Sequence, residues 1–302
     1  MPGIPATRRP PPVASLNDRA FDSIFGVDFS GAKLAGRNAW VARLEPTGLD
    51  EPGPPTRLVE LRSLERLCGR PEREPALAYL VERIAASDNA LWGFDFPFGM
   101  PVELFATGTD WAEQFGLIGE WGDDAYGLGL ECLRRAKALG GPNHIRRLTD
   151  VEAKAPFDCY HYRIIYQTFY GMRDVLGPLR SHRGTAILPF HYRRLPQARR
   201  VLAESCPSST LKRLGWPHQN YKQATGGPLT RRRRLTRRAI LDAAGSLVEI
   251  GPAYRRQIMR NPGADALDAV LAAAGVLQAW RNCDHRAVAR HPRYRREGRL
   301  YV

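Results

Sequence analysis

The sequence predicts an α/β fold, a mixed β-sheet flanked by helices, on three observations. Between Ser23 and Pro97 the order reads strand, strand, strand, helix, strand. Two apolar runs joined by a short polar link indicate an antiparallel pair, and a helical crossover to the next strand indicates a parallel one. Strand patterns then resume at 185–190 and 199–207, and a long alanine-rich helix follows.

Each element has its own signal. The start, "MPGIPATRRPPPVASLND", is proline-rich and lacks an apolar core, so it reads as neither a secretory leader nor folded chain. Residues 1–20 are expected to be a disordered tail, and 21–302 a single domain. "SIFGVDFS" and "NAWVARLE" are the first two strands, with "AKLAGR" as their link, and "RLVELRSL" is the third. "EPALAYLVERIAAS" places Leu77, Leu80, Val81 and Ile84 at helical spacing, with Pro75 near its start. "ALWGFDFPFGMP" is a buried strand stopped by proline and glycine. Residues 100–195 break the rhythm and predict a mainly helical insertion, with a helix at "DAYGLGLECLRRAKAL" and an aromatic stretch, "FDCYHYRIIYQTFYG". "TAILPF" and "RRVLAESCP" return to strand, and "RRRRLTRRAILDAAGSLV" and "NPGADALDAVLAAAGVLQAWR" are helices. The basic tail 281–302 is expected to end in a short strand at "GRLYV".

Composition narrows the partners. The chain has 302 residues and a formal net charge of +14. That charge favours polyanions, nucleic acid above all, through phosphate contacts and counterion release. An arginine-rich, lysine-poor composition is also what a GC-rich genome produces. No apolar run approaches the roughly 18 residues a membrane span requires. Five scattered cysteines without a CxxC pair argue against a zinc cluster or a disulfide framework, and fit a reducing cytoplasm. Nothing in the sequence indicates an oligomeric state.

Acids sit where apolar strands end. Asp28 in "GVDFSGA", Asp95 in "GFDFPFG" and Glu204 in "AESCPSS" each interrupt an apolar run, and a lone buried carboxylate is costly unless paired. Asp265 and Asp268, three apart at the start of the alanine-rich helix, share one helical face. Each has an ordinary explanation: Asp95 caps a loop, Glu204 pairs with an arginine such as Arg200, or Asp265 complements the helix dipole. Together they suggest a site beyond the carboxyl ends of parallel strands, where ligands collect. Oxygen-only ligands suit Mg2+ or Mn2+, and two such ions roughly 4 Å apart clamp the oxygens of phosphodiester hydrolysis.

"GVDFSGA", "GFDFPFG", "AESCPSS" and "DALDAVLAA", in that order, resemble the DUF429 family of predicted nucleases with a ribonuclease H-like fold. The first and last motifs are also similar to Holliday-junction resolvases of the same superfamily. "RRLTDVEAKAPF" and "YQTFYGM" resemble segments such proteins carry between their second and third acidic strands. The resemblance covers about residues 23 to 280. It implies a metal-dependent nuclease with Asp28, Asp95, Glu204 and Asp268 as catalytic acids, and Asp265 as a further metal ligand. It lacks the central glutamate of true ribonucleases H, so hybrid specificity is not implied.

Other features bear on substrate. "TRRRRLTRR" holds six arginines in nine residues, so Arg231, Arg232, Arg233 and Arg234 are candidate phosphate contacts, or else a solvated helix start. Lys33 and Ser30 are candidates for a phosphate beside Asp28. The aromatic stretch either stacks exposed bases or packs onto its host. Two other functions compete: an actin-like ATP-binding phosphotransferase, which needs a second copy of the fold, and a non-catalytic nucleic-acid-binding protein.

Overall fold

Seven strands form one mixed sheet in the order β5-β6-β4-β1-β2-β3-β7. The computed structural model describes residues 16–48, 53–223 and 226–302. β2 (Trp40–Pro46) runs antiparallel to both β1 (Ser23–Asp28) and β3 (Thr56–Ser63). The helix Arg73–Ala86 then carries the chain to β4 (Ala90–Phe94), parallel to β1. After the insertion, β5 (Thr185–Ile187) and β6 (Arg200–Glu204) add on in parallel, and β7 (Val248–Glu249) closes the opposite edge beside β3.

Helices cover both faces, which is why β1 and β4 read as nearly unbroken apolar runs. On one face Ile24, Leu91 and Val201 pack against the long helix Asp265–Asn282. On the other, Phe25, Val27, Trp92 and Phe94 pack against Arg73–Ala86 and the insertion. Two glycines set how closely the long helix sits. A Cβ on Gly26 would lie 2.0 Å from the Ala269 carbonyl oxygen, and one on Gly93 would lie 2.7 Å from that of Ala272. With glycine in the strands and alanine on the helix, the backbones touch directly. That close seat carries the first turn of the long helix to the ends of β1 and β4.

The insertion contributes the helices Trp111–Gly119, Ala125–Ala138, Leu148–Glu152 and Ile165–Tyr170. Leu128, Cys132, Ile165, Phe169 and Tyr170 bury themselves in the same core as Phe94 and Phe96. Most of the aromatic stretch therefore packs onto its host, although Tyr162 stays 62% exposed.

Three expectations differ from the structure. Residues 1–15 of the expected tail lie outside the described residues, whereas 16–20 are held in place: Leu16 packs on the core, and the Asn17 amide donates to the carbonyls of Arg281 and Cys283. The link "AKLAGR" contains a helical turn, Ala35–Asn38. The basic tail folds as helices His285–Arg290 and Tyr294–Glu297, and "GRLYV" makes one bridge, Leu300 to Glu204, in place of a strand. The buried Glu297 carboxylate accepts from the amides of Val102 and Leu148, so the tail is anchored on the insertion as well as at the end of β6. No helix among the described residues is long and apolar enough to cross a membrane.

Candidate metal centre

Strand register decides which acids meet. In the parallel β1–β4–β6 array, Val27 aligns with Phe94 and Phe94 with Glu204. Pairing continues one residue further, since the Asp95 amide donates to Val27 (2.9 Å) and the Ser205 amide to Phe94 (2.7 Å). Asp28, Asp95 and Ser205 thus share one level and one face, the face covered by the long helix. Glu204 lies one residue short, and because side chains alternate it belongs to the opposite face with Val27 and Phe94.

The long helix supplies the third acid. Its entry turns through Ala264, whose φ of 74° is left-handed. Asn261 caps the turn, accepting from the Ala266 amide and donating to Asp265 Oδ2 at 3.2 Å. One turn on, Asp268 is fully buried and points at the strand ends. Carboxylate oxygens of Asp28, Asp95 and Asp268 lie within 4.8 Å of one another. Asp28 is only 9% exposed, and neither its carboxylate nor that of Asp95 receives a hydrogen bond or ion pair among the described residues.

These acids open into a cavity of about 500 Å3, which Asp265 and Glu204 also line. Phe157, Arg163 and Gln167 of the insertion form part of its wall. Gln167 donates to the Phe29 carbonyl at 2.8 Å, and a Cβ on Gly31 would meet the Tyr166 carbonyl at 2.1 Å. The insertion therefore rests directly on the loop after β1.

Glu204 departs from its expected role as a ligand. The buried Arg147 guanidinium donates to both of its oxygens, at 2.5 and 2.8 Å, and to both oxygens of Asp150, at 2.7 and 3.0 Å. Glu204 Oε2 also accepts from the Phe98 amide at 3.0 Å. The two flanking carboxylates hold Arg147 charged, well above even its usual range, against the cost of burial. Glu204 does pair with an arginine, although not Arg200, which bonds the Ser87 carbonyl.

Two residues that carry no sequence signal hold Asp268: Lys222, which lines the cavity, and Tyr221 beneath it. Lys222 pairs with Asp268 Oδ2, and the Tyr221 hydroxyl donates to Asp268 Oδ1 at 3.1 Å. Burial, with the Asp268 charge second, pushes the Asp28 carboxyl well above the usual carboxylate range. Burial also raises Asp95 to about 7, with Asp268 and Glu204 adding to it and Lys222 opposing. Both shifts favour the protonated carboxyl wherever no further positive charge is near.

The basic candidates lie elsewhere. Arg231–Arg234 open the helix Arg231–Ala244, capped by Thr230, and do not line the cavity. Arg231, Arg232 and Arg234 are exposed, while Arg233 donates to Gln223 Oε1 at 2.6 Å. Lys33 is exposed and also outside the cavity, whereas Ser30 lines it. No family model, curated protein or solved structure matches this chain.

Proposed function

We propose that this chain is a nuclease, a metal-dependent hydrolase of phosphodiester bonds with a ribonuclease H-like arrangement. The observation that carries the reading is the convergence of three aspartates: Asp28 and Asp95, mostly shielded and unpartnered among the described residues at the ends of adjacent parallel strands, and the fully buried Asp268 of the long helix. Three antiparallel strands followed across a helix by parallel ones support the same arrangement.

The donor set fits a hard cation: it is all oxygen, with no histidine or cysteine among the clustered ligands. Asp28 and Asp95, with Asp268 beside them, would hold Mg2+ or Mn2+, which supplies Lewis-acid charge at the phosphate. Phe157 and Arg163 on the cavity wall would place a nucleotide against the acids by stacking and charge. The exposed arginines of Arg231–Ala244 would hold more distant phosphates, the strongest use for positive charge at a helix N-terminus, where it is otherwise unfavourable. One sheet with no second copy among the described residues disfavours the phosphotransferase alternative.

The test is cleavage of labelled single-stranded, duplex and branched DNA and RNA with Mn2+, Mg2+ or EDTA. Metal-dependent cutting is expected, and Asp95→Asn should reduce it by at least ~100-fold. Binding without cutting in either metal would favour the non-catalytic alternative. Since Asp95 must be ionised to hold the metal, affinity for Mn2+ should climb as pH rises through about 7.

A further inference from the structure

Lys222 is held against the acidic cluster by a segment that is itself fixed in place. Nearly half of its side chain is exposed (47%), yet its ammonium pairs with the fully buried Asp268. Its neighbours on both sides are fixed. The fully buried Arg237 donates twice to the Tyr221 carbonyl, at 3.2 and 2.6 Å. The same guanidinium reaches the carbonyls of Ile258, Asn261 and Pro262, at 2.9, 2.5 and 3.0 Å. The Gln223 amide donates to the Pro262 carbonyl at 2.8 Å. One arginine therefore clamps the segment carrying Lys222 to the turn that launches Asp268.

Counter-charges already present limit how many ions this cluster takes. A two-ion site requires carboxylates to reach ions roughly 4 Å apart, with at least one shared between them. The Glu204 charge is already met by Arg147, which binds both of its oxygens. Asp268 has one oxygen on the Tyr221 hydroxyl and the other on Lys222. Within the three-acid cluster Asp28 and Asp95 have no paired cation, and one or two carboxylates completed by water and substrate phosphate are the usual Mg2+ site.

Building on the nuclease reading, we propose that Lys222 is a resident cation in the second ion position, so that the site takes one divalent ion. Its ammonium supplies positive charge beside the phosphate that the second ion would otherwise supply. Arg237 is its positioning residue.

Stoichiometry tests this without any substrate. Metal-free protein is titrated with Mn2+, and bound ions per chain are counted from the free-ion electron paramagnetic resonance signal. One ion is expected for the wild type and for Lys222→Arg, and two for Lys222→Met. Lys222→Gln serves if the methionine variant fails to fold, with far-ultraviolet circular dichroism checking each variant. Two ions in the wild type would overturn the proposal and leave the nuclease reading standing. One ion in both the wild type and the neutral variants would overturn it as well. No ion in folded wild type would sink the metal site itself, and this inference with it.

Discussion

Arg147→Met is expected to destabilise the fold by about 3–5 kcal/mol, the range for removing one partner of a buried ion pair. The change leaves Glu204 and Asp150 buried side by side without a counter-charge. It also removes the hydrogen bond from Arg147 to the Glu297 carbonyl (3.1 Å), which ties the C-terminal tail to the insertion. Urea unfolding of the metal-free protein measures the loss. Adding Glu204→Gln and Asp150→Asn should recover a large part of it, because neutral amides remove the repulsion. Arg147→Lys should recover little, since an ammonium cannot serve two carboxylates in a planar fork. Glu204→Gln alone should leave Mn2+ affinity within about twofold. If it weakened Mn2+ binding as much as Asp95→Asn does, Glu204 would be a ligand and the face assignment mistaken.

Asp28→Asn carries the opposite sign. It removes one charge from a cluster that burial and repulsion already strain, so the metal-free variant should be more stable by about 1–2 kcal/mol, as at other active sites that trade stability for function. Mn2+ at millimolar concentration should raise the melting temperature of the wild type by mass action and barely move that of the variant. The pH dependence follows from Asp95. Its carboxyl titrates near 7 when folded and near 3.8 otherwise, so the folded state keeps a proton that the unfolded chain has released between those values. Stability of the metal-free protein therefore falls as pH rises from about 4 to 7. Asp28, raised in the same direction, adds to that fall, and the asparagine variant should show a shallower one. A variant less stable than wild type at pH 8 would contradict the picture of a strained cluster.

Much of the sheet was legible because its signals are local. Apolar runs ended by glycine and proline marked β1, β4 and β6, and helical spacing marked Arg73–Ala86 and the long helix. Asp28 and Asp95 stood out because a carboxylate inside such a run is chemically expensive. Glu204 gave the same signal for a different reason. A one-residue difference in register sends a strand-end side chain to the other face, and register depends on pairing that no single segment reveals. Its partner Arg147 lies 57 positions away, inside "RRLTDVEAKAPF", a segment conspicuous as a motif but not as an ion pair. Lys222 had no signal at all, since "NYKQ" is ordinary loop sequence whose meaning comes from Arg237 and the turn at Pro262. Both ends of the tail segments were misjudged for a related reason. Proline and arginine mark them as exposed, while Asn17 and Glu297 tie them down through backbone groups distant in sequence.

The most direct measurement is a crystal structure of the protein soaked in Mn2+, with the ion located by its anomalous scattering. A peak ligated by Asp28 and Asp95 next to Asp268 is expected, with Glu204 still on Arg147 and Lys222 still facing the cluster. A peak coordinated by Glu204, or none near Asp28 at saturating Mn2+, would contradict the metal site.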